Sequence, residues 1–134
     1  MIEQTSVSSP VPLASLLAAF GPNLEFGKEL ASLTSYRTGG RARYYISATA
    51  ADEIVRATQA ARRLSLPFFF IGGGSNLLVS DAGFDGLIIK VDVNWIRITD
   101  DHTIECGAGE ELMALVEFAA DHGLTGLEFA AGIW

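Results

Sequence analysis

Cysteine and histidine are scarce in this chain of 134 residues. Cys106 is the single cysteine, so an intrachain disulfide is impossible and a thiolate metal cluster is excluded. The two histidines, His102 and His122, lie far apart without the spacing of metal ligands. Cys106 ends an apolar strand pattern, where a lone cysteine is more often a small core residue than a nucleophile. The sequence therefore favours neither a disulfide scaffold nor a metal enzyme.

Basic residues are also in short supply. The chain has nine Lys and Arg residues and sixteen Asp and Glu residues, which gives a formal net charge of −7. A nucleic-acid partner is not expected, because such a partner requires a basic surface. No apolar run reaches the length of a membrane span, and residues 1–9 lack the basic start of a signal peptide. These absences predict a soluble, cytoplasmic protein that binds neither nucleic acid nor membrane.

Hydrophobic residues make up 49% of the chain, which is enough for one globular domain with a real core. Their spacing alternates between helical and strand periods, which is typical of an α/β fold. A loose tail is expected over residues 1–12 and a connector over 23–33. The predicted elements are a helix over 13–20, a strand over 44–48, a helix over 49–64, a strand over 68–71, a strand over 87–93, a hairpin over 95–99 and 103–106, and a helix over 110–122.

Local signals refine four of these elements. Thr49-Ala-Ala-Asp52 resembles a capping box at the start of a helix, and Asp52 stands four residues before Arg56, which favours an ion pair. The short apolar run over 68–71 suits a strand buried on both faces. Gly123 has the residue type expected just past a helix end. The acidic pair Asp100 and Asp101 is interpreted as a solvated turn rather than an acid/base pair.

The strand over 68–71 runs directly into Gly72-Gly73-Gly74-Ser75-Asn76, and apolar residues resume at Leu77. Three adjacent glycines indicate positive φ or a close approach of the backbone to another group. Backbone N–H groups turned inward in such a loop can hold phosphate, although a tight turn between strands would need the same glycines. The loop is neither a P-loop nor a G-x-G-x-x-G turn opening a helix.

A second glycine-bearing segment is Thr34-Ser-Tyr-Arg-Thr-Gly-Gly40. Its Gly-Gly pair could be a simple turn. Its hydroxyl groups and guanidinium could equally lie near a bound anion.

Four stretches in this order resemble the N-terminal FAD-binding part of the UDP-N-acetylenolpyruvoylglucosamine reductase family. They are Thr34-Ser-Tyr-Arg-Thr-Gly-Gly40, Ile71-Gly-Gly-Gly-Ser-Asn-Leu-Leu-Val-Ser-Asp-Ala-Gly-Phe-Asp-Gly86, Gly107-Ala-Gly109 and Gly123-Leu-Thr-Gly-Leu-Glu-Phe-Ala-Ala-Gly-Ile133. The resemblance implies the FAD-binding fold of the vanillyl-alcohol-oxidase flavoproteins, in which two α/β subdomains hold FAD. It also implies a tail and short helix over 1–28 and a partial FAD-binding domain over 29–134.

The resemblance assigns a pyrophosphate site to Gly72, Gly73, Gly74, Ser75, Asn76 and Leu77. It places Gly107, Ala108, Gly132 and Ile133 along the cofactor, with Tyr36, Arg37 and Thr38 as weaker candidates. Related oxidases often carry a flavin-linking histidine in the glycine loop. This sequence has Ser75 there, so non-covalent FAD is expected.

The implied activity is NADPH-dependent reduction of an enolpyruvyl ether of a UDP-sugar to UDP-N-acetylmuramate, in peptidoglycan precursor synthesis. The family's catalytic serine, glutamate and arginine lie beyond the Ala-Gly-Ile motif, and Trp134 stands where that motif continues with proline. We therefore expect a truncated chain that is inactive alone, with Glu128 in a structural role. Two alternatives stay open: a non-catalytic flavin-binding fragment, and another FAD-dependent oxidoreductase of the same superfamily.

Overall fold

The structure is a computed structural model that describes residues 12–133. The predicted tail therefore lies outside the described residues, apart from Pro12. The chain divides into two compact units, Met1–Val91 and Asp92–Trp134, which we call unit 1 and unit 2. The domain boundaries expected from the resemblance, 1–28 and 29–134, stay a prediction. The strand Glu25–Glu29 of unit 1 contains residues from both sides of that expected boundary.

Unit 1 is a four-stranded mixed sheet with two helices. Its strands follow the order β1-β2-β4-β3, with β1 antiparallel to β2 and the other pairs parallel. The elements of unit 1 are α1 (Leu13–Phe20), β1 (Glu25–Glu29), a 3-10 helix (Leu30–Leu33), β2 (Arg41–Ala48), α2 (Ala51–Arg63), β3 (Phe68–Ile71) and β4 (Phe84–Val91). The predicted strand–helix–strand order of β2, α2 and β3 is confirmed, but β4 lies between the two strands in the sheet.

Two hydrophobic clusters lie on opposite faces of β4, because side chains alternate along a strand. Leu87 and Ile89 belong to one cluster and Ile88 to the other. The helix-side cluster also contains Leu16, Tyr44, Ile46, Ala57 and Ala61. The loop-side cluster also contains Leu30, Ala42, Tyr45, Ile71, Val79 and Phe84. The sheet is therefore covered by the α-helices on one face and by the 3-10 helix and loops on the other.

The start of α2 differs from its prediction by one residue. Glu53, not Asp52, closes the helix start: its Oε2 accepts the backbone N–H of Thr49 at 2.7 Å and that of Ala50 at 3.3 Å. Asp52 instead pairs with Arg56 at 2.6 Å, as predicted. The third helical position faces back toward the free N–H groups, and Glu53 occupies it because the helix begins at Ala51.

Two predictions for unit 1 are wrong. The segment expected to be a connector over 23–33 contains β1 and a 3-10 helix. The strand expected to be buried on both faces, β3, leaves Phe69 37% and Phe70 43% exposed. The physical reason is its position, since β3 pairs with β4 alone and forms an edge of the sheet.

Unit 2 consists of the hairpin β5 (Ile96–Asp100) and β6 (Thr103–Cys106), helix α3 (Leu112–Asp121) and a 3-10 helix (Glu128–Ala130). The predicted hairpin is confirmed. In its turn, Asp100 Oδ1 accepts the His102 N–H at 2.9 Å, and this bond holds the pKa of Asp100 below its ordinary value. The prediction of a buried Cys106 is wrong, because this residue is exposed on the hairpin.

Helix α3 ends as Gly123 predicts. Gly123 has φ +68, its N–H donates to the Ala120 carbonyl at 3.0 Å, and the Leu124 N–H donates to the Ala119 carbonyl at 2.9 Å. These bonds form a Schellman motif, which satisfies carbonyls left free at a helix end. Across residues 12–133, no helix combines the length and apolarity needed to cross a membrane.

Candidate functional site

The predicted glycine loop, residues 72–77, begins directly after β3. The carboxyl ends of the parallel strands β2, β3 and β4 all lie on the same side of the sheet. Ligands of open α/β sheets bind beyond the carboxyl ends of parallel strands, because loops there leave backbone groups free. The loop therefore lies where such a sheet offers a binding site.

Gly74 is required by packing within the protein. It is buried with φ +72, and a Cβ built on it would collide with the Leu33 carbonyl oxygen. Its own carbonyl accepts the Ser35 N–H at 3.2 Å. Gly74 thus joins the glycine loop to the segment that precedes β2.

Gly72 and Gly73 are different from Gly74. Both are exposed and neither has positive φ, so of the two reasons expected for the three glycines, positive φ applies to Gly74 alone. A Cβ on Gly72 would meet nothing within 4 Å, and one on Gly73 would meet only Ser75 Oγ at 3.6 Å. The described chain gives no reason for glycine at these two positions, and the space beside them is open to a ligand.

The rest of the loop changes from polar to apolar. Ser75 is half-buried and Asn76 is exposed, whereas Leu77 packs against the loop-side cluster. Leu77 therefore anchors the loop through its side chain. Residues 72–77 contain no ionisable side chain, so this loop offers hydrogen bonds to a ligand but no acid or base.

The structure brings the second glycine-bearing segment against this loop. Besides the Ser35–Gly74 bond, the Gly40 N–H donates to the Ser80 carbonyl at 2.9 Å. Within the segment, the Arg37 N–H donates to the Thr34 carbonyl at 3.1 Å, and Thr34 Oγ1 donates to the Thr38 carbonyl at 3.3 Å. We call residues 34–38 the docked turn. It carries the three weaker candidates, Tyr36, Arg37 and Thr38, and all three are exposed.

A shallow cavity of about 340 Å³ lies between the docked turn and the chain after the loop. It is lined by Thr38, Leu78, Val79, Ser80 and Asp81. Sequence reasoning singled out Thr38 alone among these residues. The sequence did contain a signal for the other residues, because the glycine-loop stretch that resembles the family continues through Ser80 and Asp81.

Unit 2 contains the remaining predicted residues. Gly107 is buried, donates its N–H to the Trp95 carbonyl at 2.8 Å, and has no room for a Cβ because of the Val93 carbonyl oxygen. Close backbone packing therefore explains Gly107. Ala108, which follows it, is exposed.

The other predicted pair of unit 2, Gly132 and Ile133, follows the 3-10 helix. Gly132 has φ +84 and donates its N–H to Met113 Sδ on α3 at 3.3 Å, while Ile133 is 51% exposed. Just upstream, Glu128 Oε2 accepts the Gly126 N–H at 2.7 Å. Backbone N–H groups of Glu128 itself and of Gly126 lower the pKa of the Glu128 carboxyl, in keeping with the structural role expected of it.

Comparisons with known proteins agree with this architecture. Residues 42–134 match the sequence model of a family described as FAD binding domain. The UDP-N-acetylenolpyruvoylglucosamine reductase of Gloeobacter violaceus is 41% identical over 112 residues, which cover 82% of this chain and 37% of that protein. The chain thus spans well under half the length of this relative. The resemblance drawn from the motifs is confirmed.

Solved structures support the same fold. The crystal structure of UDP-N-acetylenolpyruvylglucosamine reductase from Thermus caldophilus matches with a TM-score of 0.59 at 31% identity, over 82% of this chain and 37% of that one. A p-cresol methylhydroxylase with substrate bound also matches at 0.59, over 85% of this chain and 26% of that one, but at 15% identity, which shows the fold alone. The predicted fold class, an α/β domain of this flavoprotein type, is confirmed. The chain belongs to the FAD-binding domain family.

Proposed function

We propose that this chain forms part of the FAD site of a UDP-N-acetylenolpyruvoylglucosamine reductase. Two findings support the proposal: the family match over residues 42–134, and relatives of that name at 41% and 38% identity. The observation that carries it is the open space beside Gly72 and Gly73, where the described chain does not itself require glycine. Glycine there lets a phosphate approach the backbone without a side chain in the way.

The residues present fit FAD. The backbone N–H groups at Gly72 and Gly73 and the polar side chains of Ser75 and Asn76 would hold the pyrophosphate, while Gly74 and Leu77 fix the shape of the loop. Ala108, Gly132 and Ile133 would line the cofactor, and Gly107 would position Ala108. Because Ser75 offers no imidazole, the flavin would be bound without a covalent link. When bound, FAD would supply hydride transfer from NADPH to the enolpyruvyl group of a UDP-sugar.

The part assigned to this chain is cofactor binding. The glycine loop has no ionisable side chain, and Glu128 is engaged in a backbone contact. We therefore expect the purified chain to bind FAD without reducing the enolpyruvyl substrate when NADPH is supplied. The reductase of Thermus caldophilus, assayed in parallel, provides the positive control for turnover.

The proposal is tested by FAD titration of the wild-type chain and of the graded variants Gly73→Ala and Gly73→Val, followed by flavin absorbance and fluorescence. We expect Gly73→Val to weaken FAD binding about tenfold or more, the scale of a lost hydrogen bond to a charged group, and Gly73→Ala to have a smaller effect. Thermal unfolding without FAD should be nearly unchanged, because the nearest atom to the added Cβ is Ser75 Oγ at 3.6 Å, an ordinary contact distance. Equal FAD affinity in a folded Gly73→Val variant would contradict the role of this loop.

A further inference from the structure

Arg37 has a backbone conformation that its residue type does not favour. Its φ is +52, and among the described residues only Ser65 shares positive φ without being glycine. Ser65 follows α2, where a left-handed residue commonly ends a helix. Arg37 follows no α-helix, so helix termination does not explain its conformation. Strain of this kind is often retained where a ligand is held.

The side chain of Arg37 is also without a partner in the described structure. Arg41, Arg43, Arg56 and Arg97 each donate to an oxygen of the protein. Arg62 and Arg63 lie in the last turn of α2, where positive charge favours the negative end of the helix dipole. Among the arginines of residues 12–133, Arg37 alone has neither a hydrogen-bond partner for its side chain nor a position at the end of a helix.

The position of Arg37 places this free charge near the glycine loop. Ser35 donates to the Gly74 carbonyl at 3.2 Å, and Arg37 follows two residues later in the same turn. Two peptide units separate the Cα atoms of Ser35 and Arg37 by at most about 7.6 Å. The turn is closed by the Arg37–Thr34 and Thr34–Thr38 hydrogen bonds, so Arg37 is presented from a fixed backbone. The docked turn therefore holds a free positive charge next to the segment that is bonded to the glycine loop.

We propose that the guanidinium of Arg37 binds a phosphate of the FAD pyrophosphate at the glycine loop. This inference rests on the proposed function, and it adds what the loop lacks, a positive charge opposite the phosphates. Backbone N–H groups supply direction, whereas a guanidinium can donate two parallel hydrogen bonds to phosphate oxygens. The proposed contact would also give the left-handed conformation of Arg37 a function, since such strain is often retained where a ligand is held.

The test is Arg37→Gly, which removes the charge and relieves the backbone strain, with Ser65→Gly as its matched control. Both variants replace a residue at nearly the same positive φ, so both should unfold at the wild-type temperature or slightly above it. We expect the FAD dissociation constant to rise at least tenfold in Arg37→Gly and to stay unchanged in Ser65→Gly. FAD affinity should also depend less steeply on salt in Arg37→Gly, which a merely structural role for the turn would not produce.

The outcomes separate the two proposals. FAD binding by the wild type with equal affinity and salt dependence in Arg37→Gly would overturn the role of Arg37 alone. Weakened binding with an unchanged salt dependence would assign Arg37 to the turn and overturn the phosphate contact. Wild-type protein that binds no FAD would overturn the proposed function, and this inference with it.

Discussion

Gly72, Gly73 and Gly74 are adjacent in the chain, but their surroundings differ. Gly74 is enclosed by the backbone of residues 33 and 34, whereas Gly72 and Gly73 face open space. Substitution should therefore separate stability from ligand binding within three consecutive residues.

At Gly74 we expect a loss of stability. Gly74→Ala places a Cβ against the Leu33 carbonyl oxygen at φ +72, and the left-handed conformation alone costs about 1–3 kcal/mol. Denaturant unfolding monitored by circular dichroism measures the change. Gly72→Ala is the control and should stay within about 0.5 kcal/mol of the wild type. Equal stability of the two variants would show that Gly74 is not enclosed as described.

Sequence reasoning located the glycine loop because three successive glycines have few uses inside a compact domain. It did not separate their roles, because the enclosure of Gly74 depends on residues 33–35, far from it in the chain. The positive φ of Arg37 was also beyond prediction. Arginine is not a residue type that indicates a left-handed conformation, and the turn that contains Arg37 is docked on the glycine loop by the Ser35–Gly74 hydrogen bond.

Among the elements, α2 depends on a carboxylate at its first turn. The Thr49 N–H donates to Glu53, and this bond is the main reason that the pKa of Glu53 lies below its ordinary value of 4.5. The folded state therefore binds this proton less readily than the unfolded state. The resulting stabilisation is fully present above pH 4.5 and is lost as the pH falls through the lowered pKa.

Glu53→Gln should remove this pH dependence from α2. We expect the acid limb of a plot of unfolding temperature against pH, between about pH 3 and 6, to become shallower in the variant. Glu117→Gln makes the same chemical change at an exposed position inside α3, and it should leave the acid limb closer to that of the wild type. An acid limb in Glu53→Gln as steep as that of the wild type would contradict the capping role.

The elements themselves were predicted unevenly. Helix α2 and the hairpin were found because their periods are regular and their ends carry turn or capping residues. Strand β1, Glu-Phe-Gly-Lys-Glu, was missed because it contains no β-branched residue and one glycine. Its strand conformation comes from pairing with β2, which no local pattern reports.

For the molecule as a whole, the two clusters on either face of β4 have different relations to the site. The loop-side cluster contains Ile71 and Val79, which flank the glycine loop, and Leu77 packs against it. The helix-side cluster lies on the other face and contains no residue of the loop. Truncating a buried side chain in either cluster should therefore lower stability to a similar extent. The effect on FAD binding should differ between the two clusters.

Ile88→Ala and Leu87→Ala test this difference, since these neighbours in β4 are buried in opposite clusters. Each should lower the free energy of unfolding by about 2–5 kcal/mol. We expect Ile88→Ala to weaken FAD binding further, because it loosens the support of the loop, and Leu87→Ala to bind with nearly wild-type affinity. Affinities are compared at a temperature at which both variants are folded. Equal loss of affinity would mean that the site depends on general stability.

The place of β4 between β2 and β3 also sets an order of events during synthesis. Strands β2 and β3 leave the ribosome before β4, the strand with which each of them pairs in parallel. Ala42 of β2, for example, cannot pair until its partner Phe84 has been synthesised. Until then, the apolar residues of β2, α2 and β3 have no completed sheet against which to pack. A nascent chain that pauses between residues 71 and 84 would therefore expose these surfaces together, at the stage when a chaperone would have most to bind.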